Sequence, residues 1–584
     1  MPACRPLCLA LLAVVAAGCT TSVQTERREA AAPTGDARPR ADLANGALAT
    51  QRSMDLAREQ KAEAASISLS EPSAPPAPMA PPAQPLATAA VSLGRMPPAG
   101  PGEAANRENY AAHGVNPVQR TAEAPVSTFS IDVDTGAYSN VRHMLNAGRL
   151  PPADAVRTEE FINYFDYAYT PPRERDIPFS VTTELAPAPW NEKRTLLLVG
   201  VQGFRVDPAD IPAANLVFLI DTSGSMESPD KLDLLKASFK QMLPRLRAQD
   251  RVSIVVYAGS AGLVLPPTPG DQRDTIAAAL DRLQAGGSTN GGAGIELAYA
   301  TAQRAYIPHG VNRVLLATDG DFNVGTVSTE ALKTLVADRR KSGIALTTLG
   351  FGEGNYNDAL AEQLADVGNG NHYYIDTLAE GRKVLQDSLV ATLMTIAKDV
   401  KIQIEFNPAL VEEYRLVGYE NRVLRREDFN NDAVDAGEIG AGHNVTALYE
   451  LTLKGSGGGA SDPLRYGSAP LPGRDGELAF LRLRYKQPEG DRSHLIERPI
   501  ARSEIRPGAG ERLRFAAAVA AFADSLRGAT HLGDFDLGRI AALAEGARGS
   551  DTAGYRAEFI DLVRRARELQ TPAPAAVHDV AVAR

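Results

Sequence analysis

Asp221, Ser223 and Ser225 stand two residues apart, with Gly224 between the serines, directly after five apolar residues at 216–220. A carboxylate and two hydroxyls at that spacing turn their oxygens toward one point if the chain curves tightly, and glycine permits the curve. Hard oxygen donors gathered in this way suit Mg²⁺. A second acid, Asp319, comes just after another apolar run, 314–317, and the glycine-rich stretch Gly286-Gly-Ser-Thr-Asn-Gly291 offers the hydroxyl of Thr289 ahead of an expected helix. Either fragment alone is ordinary turn chemistry, because Asp and Ser cap helices and Asp-Gly commonly follows a strand. The five oxygen-bearing residues together, in three loops each placed at a strand end or helix start, point to an ion site.

Other chemistries fit less well. An aspartyl-phosphate transferase needs a second Asp where Ser223 stands, and the sequence has neither a Gly-x-Ser-x-Gly elbow nor a His-Glu-x-x-His zinc helix. No base is identifiable beside Ser223 or Ser225, so the chain is not expected to be an enzyme. Residues 319–330 carry oxygens at positions 1, 3, 5 and 12 of a calcium loop, but Val324 sits where an EF-hand needs glycine and a strand precedes in place of a helix. Residues 350–354 (Gly-Phe-Gly-Glu-Gly) lack the lysine of a phosphate loop and read as a mobile turn near the metal edge. His372 reads as a capping or surface histidine, and Asp132, Asp134 and the acids of 428–435 read as solvated turns.

The elements that must position these residues follow from hydrophobic patterning. Between 215 and 376, short apolar runs at 216–220, 252–257, 314–317, 345–349 and 373–375 alternate with amphipathic helices. That pattern predicts a doubly wound, Rossmann-like α/β domain with a parallel sheet covered on both faces. Leu232, Leu235, Phe239, Met242, Leu243 and Leu246 fall at helical steps, as do Ile295, Tyr299, Ala302 and Tyr306. Ligands of such domains collect beyond the carboxyl ends of the strands, where Asp221 and Asp319 lie.

Before this domain, residues 107–214 predict a strand near 127–135, helices at 137–148 and 159–165, and a β-hairpin from 179–185 and 194–201. After it, a helix at 378–397 leads to alternating segments at 400–406, 414–419, 444–453, 478–485 and 494–499, expected to form an antiparallel β-sandwich within 377–505. The earlier hairpin is expected to join that sandwich, with the α/β domain inserted between its strands. Residues 506–570 predict a small C-terminal helical region, with helices at 513–526 and 555–569, before a polar tail at 571–584.

With the strand context in place, Asp221-x-Ser223-x-Ser225, Thr289 and Asp319 resemble the metal-ion-dependent adhesion site of von Willebrand factor A domains over about 215–376. The flanks resemble a family of bacterial lipoproteins with this central domain, through residues 127–135, 146–152, 159–165 and 428–443. The resemblance implies that Ser223 and Ser225 bind the metal directly, that Asp221 and Asp319 act through water, and that Thr289 does either. Mg²⁺ is the first expectation, with Mn²⁺ or Ca²⁺ as alternatives. A cation with few direct carboxylates keeps positive charge and should draw an Asp or Glu from a partner protein. In related domains that event moves the last helix, here 378–397. The alternative is a structural scaffold of the cell envelope in which the metal site is dispensable.

The chain start bears on location. All three cysteines, Cys4, Cys8 and Cys19, fall in the first nineteen residues, and 7–17 is an apolar run of 11. Such a run suits the core of a signal peptide but is too short to span a bilayer. It ends in Ala16-Ala-Gly-Cys19, which resembles a bacterial lipobox with Ala16 where Leu is usual, so Cys19 is the expected lipidation site and residues 1–19 the signal. A plain secretory signal is the alternative. Thr20 after the cysteine, in place of Asp, favours the outer over the inner membrane. Residues 20–106 read as a disordered tether, since 71–100 hold nine Pro and eight Ala; a coil of that length reaches about 50 Å. Residues 54–65 carry helical spacing with a sparse apolar face. A net charge of −10, from 71 acidic and 61 basic residues, argues against nucleic acid as a partner.

Overall fold

The computed structural model describes residues 107–571, apart from 175, 321–327, 461–475 and 529. The signal, Cys19, the tether with its 54–65 segment, most of the calcium-loop alternative and all but the first residue of the tail lie outside the described residues.

The α/β part is a six-stranded sheet in the order His372–Ile375, Ala345–Phe351, Val311–Thr318, Ala214–Asp221, Arg251–Tyr257, Ala261–Pro269. Alternate residues of the central strand serve opposite faces, as the strand period of two requires. Leu216, Phe218 and Ile220 pack with Leu235, Phe239, Met242 and Leu280 on one side. Val217 and Leu219 pack with Ile295, Tyr299, Leu332 and Leu364 on the other. Both faces are covered, which explains why these strands read as unbroken apolar runs. The first five strands of that order are parallel, whereas Ala261–Pro269 is an antiparallel edge. This sixth strand lies outside the five expected runs, because its two consecutive prolines and mostly part-exposed residues disguise it; proline is tolerated there because an edge has unpaired backbone groups.

Two five-stranded antiparallel layers form the sandwich. In one, Gln119–Arg120, Val411–Val417, Asn444–Leu453, Asn191–Gly203 and Phe179–Ala188 lie side by side. In the other, Ile439–Gly440, Thr395–Phe406, Glu477–Lys486 and Ser493–Ala501 follow one another, with Val126–Ser130 paired to Thr395–Phe406. Phe129, Val199, Ile402, Tyr449 and Leu481 meet between the layers. The 179–203 hairpin therefore does join the sandwich, by pairing with Asn444–Leu453, and the α/β domain is inserted after it. The outer face of the first layer, through Leu196, Leu198 and Leu448, supports helices from both ends of the chain: Gly136–Asn146, Thr158–Asn163, Glu511–Leu526, Leu537–Glu545 and Tyr555–Gln570. No described helix is long and apolar enough to cross a membrane.

Four expectations change. The helix expected at 378–397 is Leu378–Arg382, a wider turn at Lys383–Asp387 and a last turn at Leu389–Leu393; from Thr395 the chain is already a sandwich strand. Asp132 and Asp134 are buried, not solvated, and both face Arg422 at 3.5 and 3.8 Å. His372 is fully buried, bonded to Thr348 Oγ1 at 2.9 Å, Tyr356 Oη at 3.0 Å and Asp358 Oδ1 at 3.2 Å. Gly350 and Phe351 end a strand, and the turn beyond them is pinned: Gly354 O accepts from Arg107 N at 2.8 Å, and Gly354 N donates to Glu108 Oε1 at 2.9 Å.

Candidate metal centre

The chain runs from Ala214–Asp221 outward to Arg251–Tyr257 and the edge strand, then returns to the opposite side at Val311–Thr318. The crevice of such a sheet opens where the strand order reverses, between those two neighbours. Asp221 ends one of them and Asp319 follows the other. Backbone bonds bring in the third loop: Gly286 N donates to Thr222 O at 2.8 Å and Gly224 N donates to Gly287 O at 3.0 Å. Thr289 stands two residues beyond Gly287, half-buried, ahead of the helix Gly291–Arg304 that Asn290 caps.

Within the first loop the oxygens converge as the spacing suggested. Ser223 Oγ and Ser225 Oγ are 3.0 Å apart, and the Ser223 amide donates to Asp221 Oδ1 at 2.8 Å. Thr318 Oγ1 donates to Asp221 Oδ2 at 3.3 Å. Asp221 and Asp319 are fully buried and Ser223 nearly so, while Ser225 is half-buried. Burial pushes the Asp221 carboxyl up to about 6; hydrogen bonds from the amide and hydroxyl of Ser223 oppose that, and the nearby Asp319 charge adds to it. Gly320, at φ +86°, lets the chain slip beneath Tyr356 and Asn357, where a Cβ would collide with their backbone.

These donors fit a hard divalent cation. They are all oxygens, two are carboxylates, and the buried Asp221 is held in an environment that a positive charge would relieve. Among the described residues no group of three or more His, Cys, Asp or Glu is arranged to hold a metal ion by itself, so a metal here would depend on hydroxyls as well as acids. The two carboxylates balance the charge of one divalent ion and leave no negative charge in excess.

Sequence reasoning missed two residues at this edge. Lys231 Nζ donates to Asp319 Oδ2 and to Asn355 Oδ1, each at 3.0 Å. The signal was present: Lys231 lies four residues before Leu235 and eight before Phe239, on the apolar face of its helix, where a charged residue needs a partner. A separate cavity of about 420 Å³, lined by Glu380, Lys383, His443 and Tyr555 among others, contains none of the metal-edge residues.

Comparison with known proteins agrees with the architecture. The von Willebrand factor type A domain model matches residues 215–388, a second von Willebrand factor model matches 104–198, and the C-terminal model of YfbK matches 391–569. A protein of Synechocystis, sll0103, is 24% identical over 49% of this chain and 64% of its own. The inter-alpha-trypsin inhibitor heavy chain H3 of Pongo abelii is 25% identical over 42% of this chain and 30% of its own. Among solved structures, a von Willebrand factor type A protein from Catenulispora acidiphila covers 67% of this chain and 91% of its own, at 16% identity and a TM-score of 0.39. YfbK of Escherichia coli strain K12 is 50% identical over 460 residues, 77% of this chain and 80% of that one, and the chain accordingly belongs to the YfbK family of von Willebrand factor A domain proteins.

Proposed function

We propose that this protein is a lipid-anchored binding module of the cell envelope, which captures a carboxylate of a partner protein through a divalent metal held by Ser223, Ser225, Asp221, Asp319 and Thr289. Von Willebrand factor A domains generally mediate protein–protein interaction, in some cases through a metal. One observation carries the finer reading: two buried acids and two convergent serine hydroxyls share the sheet's switch point with the Thr289 loop. Ser223 and Ser225 supply direct oxygens, and the carboxylates of Asp221 and Asp319 hold metal-bound water. Mg²⁺ suits this set best, because it binds few protein carboxylates and keeps several waters. One of those waters gives way to an Asp or Glu of the partner. Cys19 anchors the chain to the outer membrane, and residues 20–106 give the folded part its reach. The chain acts as a binding protein, not as an enzyme.

Calorimetric titration of Mg²⁺ and Mn²⁺ into the full chain, beside Asp221→Ala, tests the metal site. Saturable binding that the variant loses is the expected result; no binding at millimolar metal would leave the α/β domain as a scaffold. Partner capture from envelope extracts that survives both EDTA and Asp221→Ala would refute the adhesion role even if metal binds.

A further inference from the structure

Lys231 sits in the turn Pro229–Asp233 that opens the helix after the Asp221 loop, yet it is only 7% exposed. A lysine this buried requires compensation for the water its ammonium has lost. The surroundings are shaped to give it. Its stem crosses Gly352, at φ +67°, where a Cβ would collide with the Cγ, Cδ and Cε of Lys231. Its ammonium meets one oxygen of Asp319 and the side-chain carbonyl of Asn355. The Asn355 turn is itself fixed, because Tyr374 Oη donates to Gly352 O at 2.7 Å, Arg107 N to Gly354 O at 2.8 Å and Asn109 N to Tyr356 O at 2.9 Å. A glycine and an amide from one turn and a carboxylate from another segment thus make a preformed seat for one ammonium.

We infer that Lys231 is a built-in counter-ion of Asp319 that holds down the metal affinity of the site; the inference rests on reading Asp221 to Asp319 as a metal centre. Without metal, the ammonium offsets one of the two buried carboxylates, so the edge folds and persists unloaded. An arriving divalent ion finds an acceptor set with one negative charge already countered, and it meets like charge a few ångströms away. The loaded site, with two carboxylates, one ammonium and one divalent ion, carries a net charge of +1. That surplus favours an anionic ligand at the open coordination position, so the same lysine weakens metal binding and strengthens the preference for a carboxylate.

The test compares the full chain with Lys231→Met, which keeps the stem and removes the charge, and with Lys231→Gln, which keeps a donor toward Asp319. Mg²⁺ and Mn²⁺ alone are the probes, read by calorimetry and by thermal unfolding with and without metal. The expected result is a gain in Mg²⁺ affinity of about tenfold or more in either variant, with a Tm that drops in EDTA and returns toward the parent value at saturating Mg²⁺. Unchanged or weaker affinity in both variants, while the parent binds, would overturn this inference alone and make Lys231 a prop for Asp319. Absence of binding in the parent and in both variants would overturn the metal centre along with it. Should Lys231→Met fail to fold, Lys231→Gln decides the matter by the same readings.

Discussion

The α/β domain meets charge in two ways, at the candidate metal edge and along its contact with the flanking regions. At that contact three arginines from the flanks, the buried Arg142 and Arg157 and the partly buried Arg422, answer its acids. Arg142 reaches Asp376 at 2.8 Å and Glu380 at 2.8 Å, and also Glu558 of the C-terminal helices at 3.1 Å. Arg157 is paired with Asp358 and with Glu160 beside it. Arg422 reaches Asp366 at 2.9 Å and faces Glu362, Asp132 and Asp134. At the metal edge, by contrast, Asp221 is met by an amide and hydroxyls, and a lysine bonds one oxygen of Asp319. The titration of the acids follows the difference. Burial raises both Asp358 and Asp221, but the Arg157 guanidinium and the His372 hydrogen bond bring Asp358 well below the usual carboxylate range, whereas Asp221 stays up at about 6. Guanidinium forks with matched acids hold parts together, whereas a buried acid met by an amide and hydroxyls stays under-compensated.

The sharpest way to break that comparison is Arg157→Ala. Removing one partner from a buried cluster strands the others, so unfolding by denaturant should show a loss of about 3–5 kcal/mol that no metal restores. A loss below about 1 kcal/mol, within the range of exposed pairs, would mean that the contact is not what the arginines secure.

Next in size is Gly352→Ala. A non-glycine residue at φ +67° is strained, and its Cβ must push aside the Lys231 stem. Metal-free stability should fall by about 1–3 kcal/mol, and saturating Mg²⁺ should recover part of the loss; a drop that is identical with and without Mg²⁺ would separate the glycine from the metal edge.

The smallest expected effect is a difference in the sign of pH dependence. Asp221 has its folded value raised above the unfolded one, so its contribution is fully present below about 4 and lost as pH rises through about 6. Asp358 is depressed, so its contribution is present above about 4 and lost only as pH falls toward its folded value. Between pH 5 and 7 the metal-free protein should therefore lose about 1 kcal/mol relative to Asp221→Asn. Mg²⁺ competes with the same proton, so its affinity should fall as pH drops through 6. A parallel pH profile of the two proteins in EDTA would remove the under-compensated acid from the account.

What was legible in the residues was local. Apolar runs of three to six residues located the five parallel strands, and helical spacing located the helices that cover them, because a buried face imposes its period on the sequence. Asp221, Ser223 and Ser225 were legible for the same reason, since three residues on one tight loop converge by chain geometry alone. The end of the last helix was not, because the apolar residues from Leu389 to Ile396 suit a helix and a strand equally, and pairing from Lys398 onward to Glu477–Lys486 decides for the strand.

The sequence by itself determined a doubly wound domain with five oxygen-bearing residues at its strand ends, inserted into a β-rich frame. Tertiary structure alone decided which charges meet. Arg157 and Asp358 are 201 residues apart, Lys231 and Asp319 are 88 apart, and Asp132 and Arg422 are 290 apart. Asp132, Asp134 and His372 looked like surface residues because polarity in a sequence marks a need for hydrogen bonds, and either water or a distant side chain can meet that need. Only the fold brings in the distant partner, and with it the choice between an acid matched by a guanidinium and an acid met by an amide and hydroxyls.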